Sequence, residues 1–252
     1  MAGKVIAISN QKGGVAKTTT VINLAYELTR LGKRILIVDG DPQANATSGL
    51  AVKFAADKTL YEVLVAAVDA HESLVETRYP GLDIIPSKPE LSGAQIELSA
   101  QAGHEIFMKQ ALHGFKSTYD FILIDTPPSL GLLTLNAFTA SNSILIPIQC
   151  EYYALEGITQ LLSTIKLVKE HTNPALFLEG ILLTMYDKRT KLSYEVAQNV
   201  LAHFRDKTYK AIIPRSVKLS EAPSHGVPVG VYAPESLGAQ SYRQLAKEFL
   251  PT

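Results

Sequence analysis

Apolar residues recur along this chain in short unbroken runs separated by longer amphipathic stretches. The runs are rich in Val, Ile and Leu, which favour strands. They predict strands at 5–9, 35–38, 82–85, 121–124, 143–147, 176–183 and 211–213. The intervening periodicity predicts helices at 18–31, 60–68, 105–113, 131–140, 154–170, 194–204 and 236–249. In the first of these, Val21, Leu24, Ala25, Leu28 and Leu31 share one face and Gly32 ends the helix. The stretch 87–103, rich in Ser, Gly and Ala, predicts a loop. Strands apolar along their whole length are covered on both faces, and strand–helix alternation makes them parallel. The expected fold is α/β: a single doubly wound, mostly parallel sheet with helices on both faces, one domain over 1–252.

Composition narrows the function. Lys and Arg total 24, Asp and Glu 24, so the formal net charge is zero. A uniformly basic nucleic-acid binder is excluded, whereas a local basic patch is not. The single cysteine, Cys150, permits neither an internal disulfide nor a cysteine metal cluster and reads as a small buried apolar residue. The six histidines are scattered without metal spacing. No apolar run approaches the roughly 18 residues of a membrane span, and the opening residues are too short for a signal peptide. A cytoplasmic location is expected.

The chemistry concentrates at Lys12-Gly13-Gly14-Val15-Ala16-Lys17-Thr18-Thr19. A strand feeding a glycine-rich turn that opens a helix is a phosphate cradle, because backbone N–H groups converge there on an anion. Lys17 would reach the β- and γ-phosphates of a nucleotide, and the Thr18 hydroxyl would ligate Mg²⁺. The strict pattern G-x-x-x-x-G-K-[ST] is not met, since Gln11 and Ala16 occupy its glycine positions. The variant K-G-G-x-x-K-[ST] is met in full, and it adds a second cation, Lys12.

Two further constellations end predicted strands. Asp39-Gly40-Asp41-Pro42-Gln43 follows the second, and Asp125-Thr126-Pro127-Pro128 follows the run at 121–124. Each aspartate alone is more readily a helix cap or turn former. Beside a P-loop they become a set: Asp125 for Mg²⁺, Asp41 to orient the attacking water, Asp39 to support it or join the metal shell.

These motifs, with Pro214-Arg215-Ser216-Val217-Lys218-Leu219-Ser220-Glu221-Ala222-Pro223, resemble the ParA/Soj chromosome- and plasmid-partitioning ATPases of the deviant Walker A group. The resemblance runs over 4–249. It implies an ATP-bound homodimer in which Lys12 reaches the partner's phosphates, with Lys12, Lys17 and Asp41 catalytic. Adenine contacts would come from Pro214 and Ser216. It further implies nonspecific binding of double-stranded DNA, association with the nucleoid, and slow hydrolysis stimulated by a ParB-like centromere-binding protein. A surface for DNA exists on paper: 185–218 holds eight Lys and Arg against three acids. Arg189, Arg215 and Lys218 lead the candidates, followed by Lys188 and Lys191. Relatives usually have glycine at Ala16; if that position needs positive φ, a Cβ there costs about 1–2 kcal/mol.

Other members of the group fit less well. A nitrogenase-type iron protein needs more cysteines. Membrane cycling of the MinD kind needs a basic amphipathic helix at the C-terminus, and no membrane partner is expected. An operator-binding domain has no room before the P-loop. A nucleotide-gated positioning scaffold for another cargo is the alternative function, and a small-molecule ligase or kinase the third.

Overall fold

The computed structural model describes residues 3–151 and 154–250, the side chains of 154–157 excepted. In chain order the elements are β1 (Lys4–Ile8), α1 (Lys17–Arg30), β2 (Ile35–Asp39), α2 (Asn45–Gly49), α3 (Leu60–Leu64), β3 (Val75–Glu76), β4 (Leu82–Ile85), α4 (Leu91–Ser99), α5 (Phe107–Ala111), β5 (Phe121–Asp125), α6 (Leu132–Ala140), β6 (Ser143–Gln149), α7 (Ala154–His171), β7 (Phe177–Thr184), α8 (Lys191–Phe204), α9 (Val217–Glu221), α10 (Val229–Tyr232) and α11 (Leu237–Phe249). The strands form one sheet of order β3-β4-β2-β5-β1-β6-β7, parallel except for β3, which runs antiparallel to β4.

Side-chain alternation divides the core into two layers. Val5, Ala7, Leu36, Val38, Ile122, Ile124, Ile144 and Ile146 face one layer, with Leu91, Phe138, Leu161 and Val200 from helices above them. Ile6, Ile8, Ile35, Ile37, Leu123 and Leu145 face the other, against Val21, Leu24, Leu28, Tyr242, Leu245 and Phe249 of α1 and α11. Both faces are thus covered, as an apolar parallel sheet requires. β1 lies between β5 and β6, and β5 separates it from β2, so the strand order reverses at β1. Ligands of doubly wound sheets bind at such a reversal, outside the carboxyl ends of the strands.

The departures from expectation have local causes. The 87–103 segment contains α4: Leu91, Ala94 and Leu98 sit at i, i+3 and i+7 and are fully buried. The 60–68 helix stops at Leu64, because Ala66 takes φ 58° and Ala67 N–H turns back to the Glu62 carbonyl at 2.9 Å. No strand forms at 211–213. Tyr209 N–H donates to the Ile181 carbonyl and Ile213 N–H to the Leu183 carbonyl, at 2.9 Å each. Four steps of chain there oppose two on β7, which breaks the ladder. The short elements α2, β3, α9 and α10 had no forecast.

Candidate nucleotide site

The cleft at the reversal is built on a braced loop. Asn10 accepts from Lys12 N–H at 3.0 Å and its own amide donates to the Pro147 carbonyl at 2.7 Å. The Thr184 hydroxyl donates to the Val15 carbonyl at 3.1 Å, tying the loop to the end of β7. Lys17 Nζ donates to the Lys12 carbonyl at 3.2 Å. Gly14 takes φ 73°, and a Cβ there would meet nothing within 4 Å; the space over the loop is open for an anion. Ala16 is left-handed too, at φ 68°, ψ 33°. The condition for strain is therefore met at the position where glycine was expected.

Gly13, Gly14, Ala16, Lys17, Thr18, Thr19 and Asp41 line a cleft of about 410 Å³, with Gln43, Pro128 and Met185 on its walls. Val15 is buried beneath it. Pro214 and Ser216 border an adjoining groove that shares Ala16, Thr19 and Met185 with the cleft. Lys12 lines neither. It lines a third groove with Cys150, Glu151, Asp187 and Arg215. Burial lowers the Lys17 pKa, against the opposing charges of Asp125 and Asp41.

The three aspartates have different environments. Asp39 and Asp125 are register neighbours on β2 and β5, both fully buried. Asp39 is occupied: its carboxylate accepts from Thr47 N–H at 2.8 Å and the Thr47 hydroxyl at 2.6 Å. Burial raises its pKa to about 6 despite those bonds. Asp39 therefore anchors the start of α2, and its oxygens are less available to a metal than the sequence suggested. Gly40 must lack a side chain, since a Cβ would sit 2.7 Å from the Asp125 carbonyl. Neither oxygen of Asp125 completes a hydrogen bond among the described residues. Burial and the Asp39 charge hold its pKa well above the usual carboxylate range, and the Thr18 hydroxyl and Lys17 offset only part of that. An orphaned buried carboxylate beside a threonine hydroxyl fits a hard cation such as Mg²⁺. Asp41 is nearly buried; its Oδ1 accepts from Gln43 N–H at 2.9 Å.

The basic candidates are exposed but mostly paired. Arg189 clasps Asp187 through Nε and Nη2 at 2.9 and 2.7 Å, and this holds the Asp187 carboxyl well below its ordinary value. Lys191 pairs with Glu195, Lys218 with Glu221 and Arg215 with Glu151, at 3.1, 3.0 and 3.6 Å. Lys188 has no ion pair among the described residues. Sequence reasoning missed Asn10, Glu151, Thr184, Met185 and Asp187. Asn10 follows β1, the other four lie at or just past the ends of β6 and β7, and no local spacing marks them. Cys150 is buried, which pushes its thiol up to about 12.

A cradle for an anion, a cation beneath it and a carboxylate waiting for a metal meet where the strand order turns, which places the chain among P-loop nucleotide-binding proteins. Residues 3–178 match the family described as "AAA domain". The sporulation initiation inhibitor protein Soj of Bacillus subtilis is 54% identical over 98% of both chains. The chromosome partitioning protein ParA of Caulobacter vibrioides is 47% identical over 98% of this chain and 94% of its own. Among solved structures, Mycobacterium smegmatis cobyrinic acid a,c-diamide synthase with bound ATP analogue and magnesium superposes with a TM-score of 0.83 at 38% identity, covering 97% of this chain and 93% of its own. The chain belongs to the Soj/ParA family of chromosome-partitioning ATPases.

Proposed function

We propose that ATP pairs two copies of this chain face to face, that the pair binds double-stranded DNA without sequence preference, and that slow hydrolysis stimulated by a ParB-like partner ends the bound state. One observation carries the reading: Lys12 stands on the rim, outside the cleft that its own loop forms, with its side chain 40% exposed. A second lysine of the phosphate loop that does not face its own cradle supports a role toward another molecule's phosphates.

Within one copy, Lys17 would hold the β- and γ-phosphates. Thr18 and Asp125 would hold magnesium, which when bound neutralises charge on the phosphate oxygens. Asp41, at the cleft wall, would orient the attacking water. The groove of Pro214 and Ser216 fits the base. Lys12 of the partner would offset the repulsion between two nucleotide-bearing faces and stabilise the charge that builds up during transfer. Lys188, Arg189, Lys191 and Lys218 would contact DNA phosphates, which carry no sequence information. Pairing doubles the number of contacts, and binding then strengthens more than additively. No helix among the described residues is long and apolar enough to cross a membrane; association with the nucleoid follows from the DNA reading.

The test is a gel shift on random double-stranded DNA at low salt, with and without Mg-ATP. A shift that requires ATP is expected and should weaken steeply with salt. No shift in either condition would favour a positioning scaffold for another cargo. Phosphoryl transfer to a metabolite would favour a ligase or kinase.

A further inference from the structure

Lys12 and Arg215 share one carboxylate. Glu151, just past the end of β6, lies 3.7 Å from Lys12 Nζ through Oε2 and 3.6 Å from Arg215 Nη2 through Oε1. The three line a single groove beside the nucleotide cleft. The residue before Glu151 is pinned through both of its backbone groups. Cys150 N–H donates to the Thr184 carbonyl at 3.1 Å, and the Ser193 hydroxyl donates to the Cys150 carbonyl at 3.2 Å. The backbone that carries Arg215 is fixed in turn, since its N–H donates to the Tyr186 carbonyl at 3.0 Å.

An ammonium group on a flexible stem beside an anion cradle has an obvious competing pose: it can fold back onto its own phosphates. Among the described residues the carboxylate that pairs with Lys12 is that of Glu151, and it lies on the groove side.

We infer that Glu151, braced by Arg215, is a positioning residue that holds the Lys12 ammonium out of its own phosphate cradle and presents it to a second copy of the chain. This rests on the reading that ATP pairs two copies through Lys12. It also moves Arg215 from the DNA-binding set to the pairing machinery. The loss of Arg215 weakens DNA binding only as far as it weakens pairing.

The test uses the full chain carrying Glu151→Gln, which keeps shape and removes charge. Two quantities are read. The first is affinity for a fluorescent ATP analogue at protein concentrations where the chain is single. The second is the dimerisation constant with Mg-ATP, by light scattering in an Asp41→Ala background that slows hydrolysis. Released from Glu151, Lys12 collapses onto its own nucleotide. Single-chain affinity should then rise, and pairing should weaken, each by about two- to fivefold, the scale of an exposed ion pair. Glu151→Asp should restore part of both, and the gain in nucleotide affinity should vanish in a Lys12→Ala background. Weakened pairing with unchanged single-chain affinity would overturn the inference, because Glu151 would then act on the partner directly. An undiminished gain in the Lys12→Ala background, or no change in either quantity, would overturn it equally. If the Asp41→Ala protein without the Glu151 change stays single with Mg-ATP, the pairing reading itself fails and the presentation role falls with it. The affinity measurement still reports separately whether Glu151 restrains Lys12.

Discussion

Ala16 carries strain that glycine would not. At φ 68° and ψ 33° its Cβ crowds the following carbonyl, at a cost of about 1–2 kcal/mol relative to glycine in the same conformation. Ala16→Gly removes that cost but frees the unfolded chain, which returns about 0.5–1 kcal/mol. The net expectation is a stabilisation of about 0.5–1 kcal/mol. For a chain of 252 residues this raises Tm by about 1–4 °C. The loop is held in shape by the protein's own bonds, from Thr184 to Val15, from Asn10 to Pro147 and from Lys17 to Lys12. The strain therefore belongs to the fold, and ATP affinity should change less than about threefold. Thermal unfolding and isothermal titration on both proteins separate the two effects. A lower Tm for the glycine variant would refute the reasoning. A gain of tenfold or more in affinity without a gain in Tm would show that the loop adopts this shape only around phosphate.

Other perturbations follow from the buried charges. Asp125→Asn removes an unpartnered carboxylate, so the nucleotide-free protein should gain about 1–3 kcal/mol of stability while Mg-dependent hydrolysis is lost; denaturant melts and a phosphate-release assay check both. Glu27 is buried between α1, α10 and α11 with one oxygen unpartnered, and burial raises its pKa above the ordinary 4.5. Its folded form keeps the proton more tightly, so the stability it contributes is full below pH 4.5 and is lost as pH rises through the raised value. Glu27→Gln should therefore gain on the wild type as pH rises from 4 to 7, in melts across that range. Lys188→Ala with Arg189→Ala should weaken DNA binding at every sequence and lower the slope of log K against log salt by about two.

Much of the fold was legible because its signals are local. Fully apolar runs at β1, β2, β5 and β6 are short and unmistakable, and Gly32 marks the end of α1. The 211–213 run looked the same and is not a strand, because register against β7 depends on a neighbour that the run does not encode. α4 was hidden by its Ser and Gly content, although Leu91, Ala94 and Leu98 carried the helical spacing. The phosphate loop and the strand-end aspartates were visible for the same local reason. What separated Asp39 from Asp125 was not: of two aspartates at equivalent strand ends, one receives Thr47 and the Asp41 N–H, which fold back onto it. Glu151 was invisible as well, since its meaning depends on Lys12 and Arg215 arriving from opposite ends of the chain. The count of basic residues in 185–218 overstated the free charge, because Glu151 and Glu221 lie outside that window and pair with two of them.

The most direct test is the mass of the Asp41→Ala protein in solution by light scattering, with Mg-ATP and with Mg-ADP, beside the Lys12→Ala/Asp41→Ala double variant. The account predicts a doubled mass for the single variant with ATP alone, and a single-chain mass for the double variant under every condition. A single-chain mass with ATP, or a double variant that pairs as well as its parent, would contradict it.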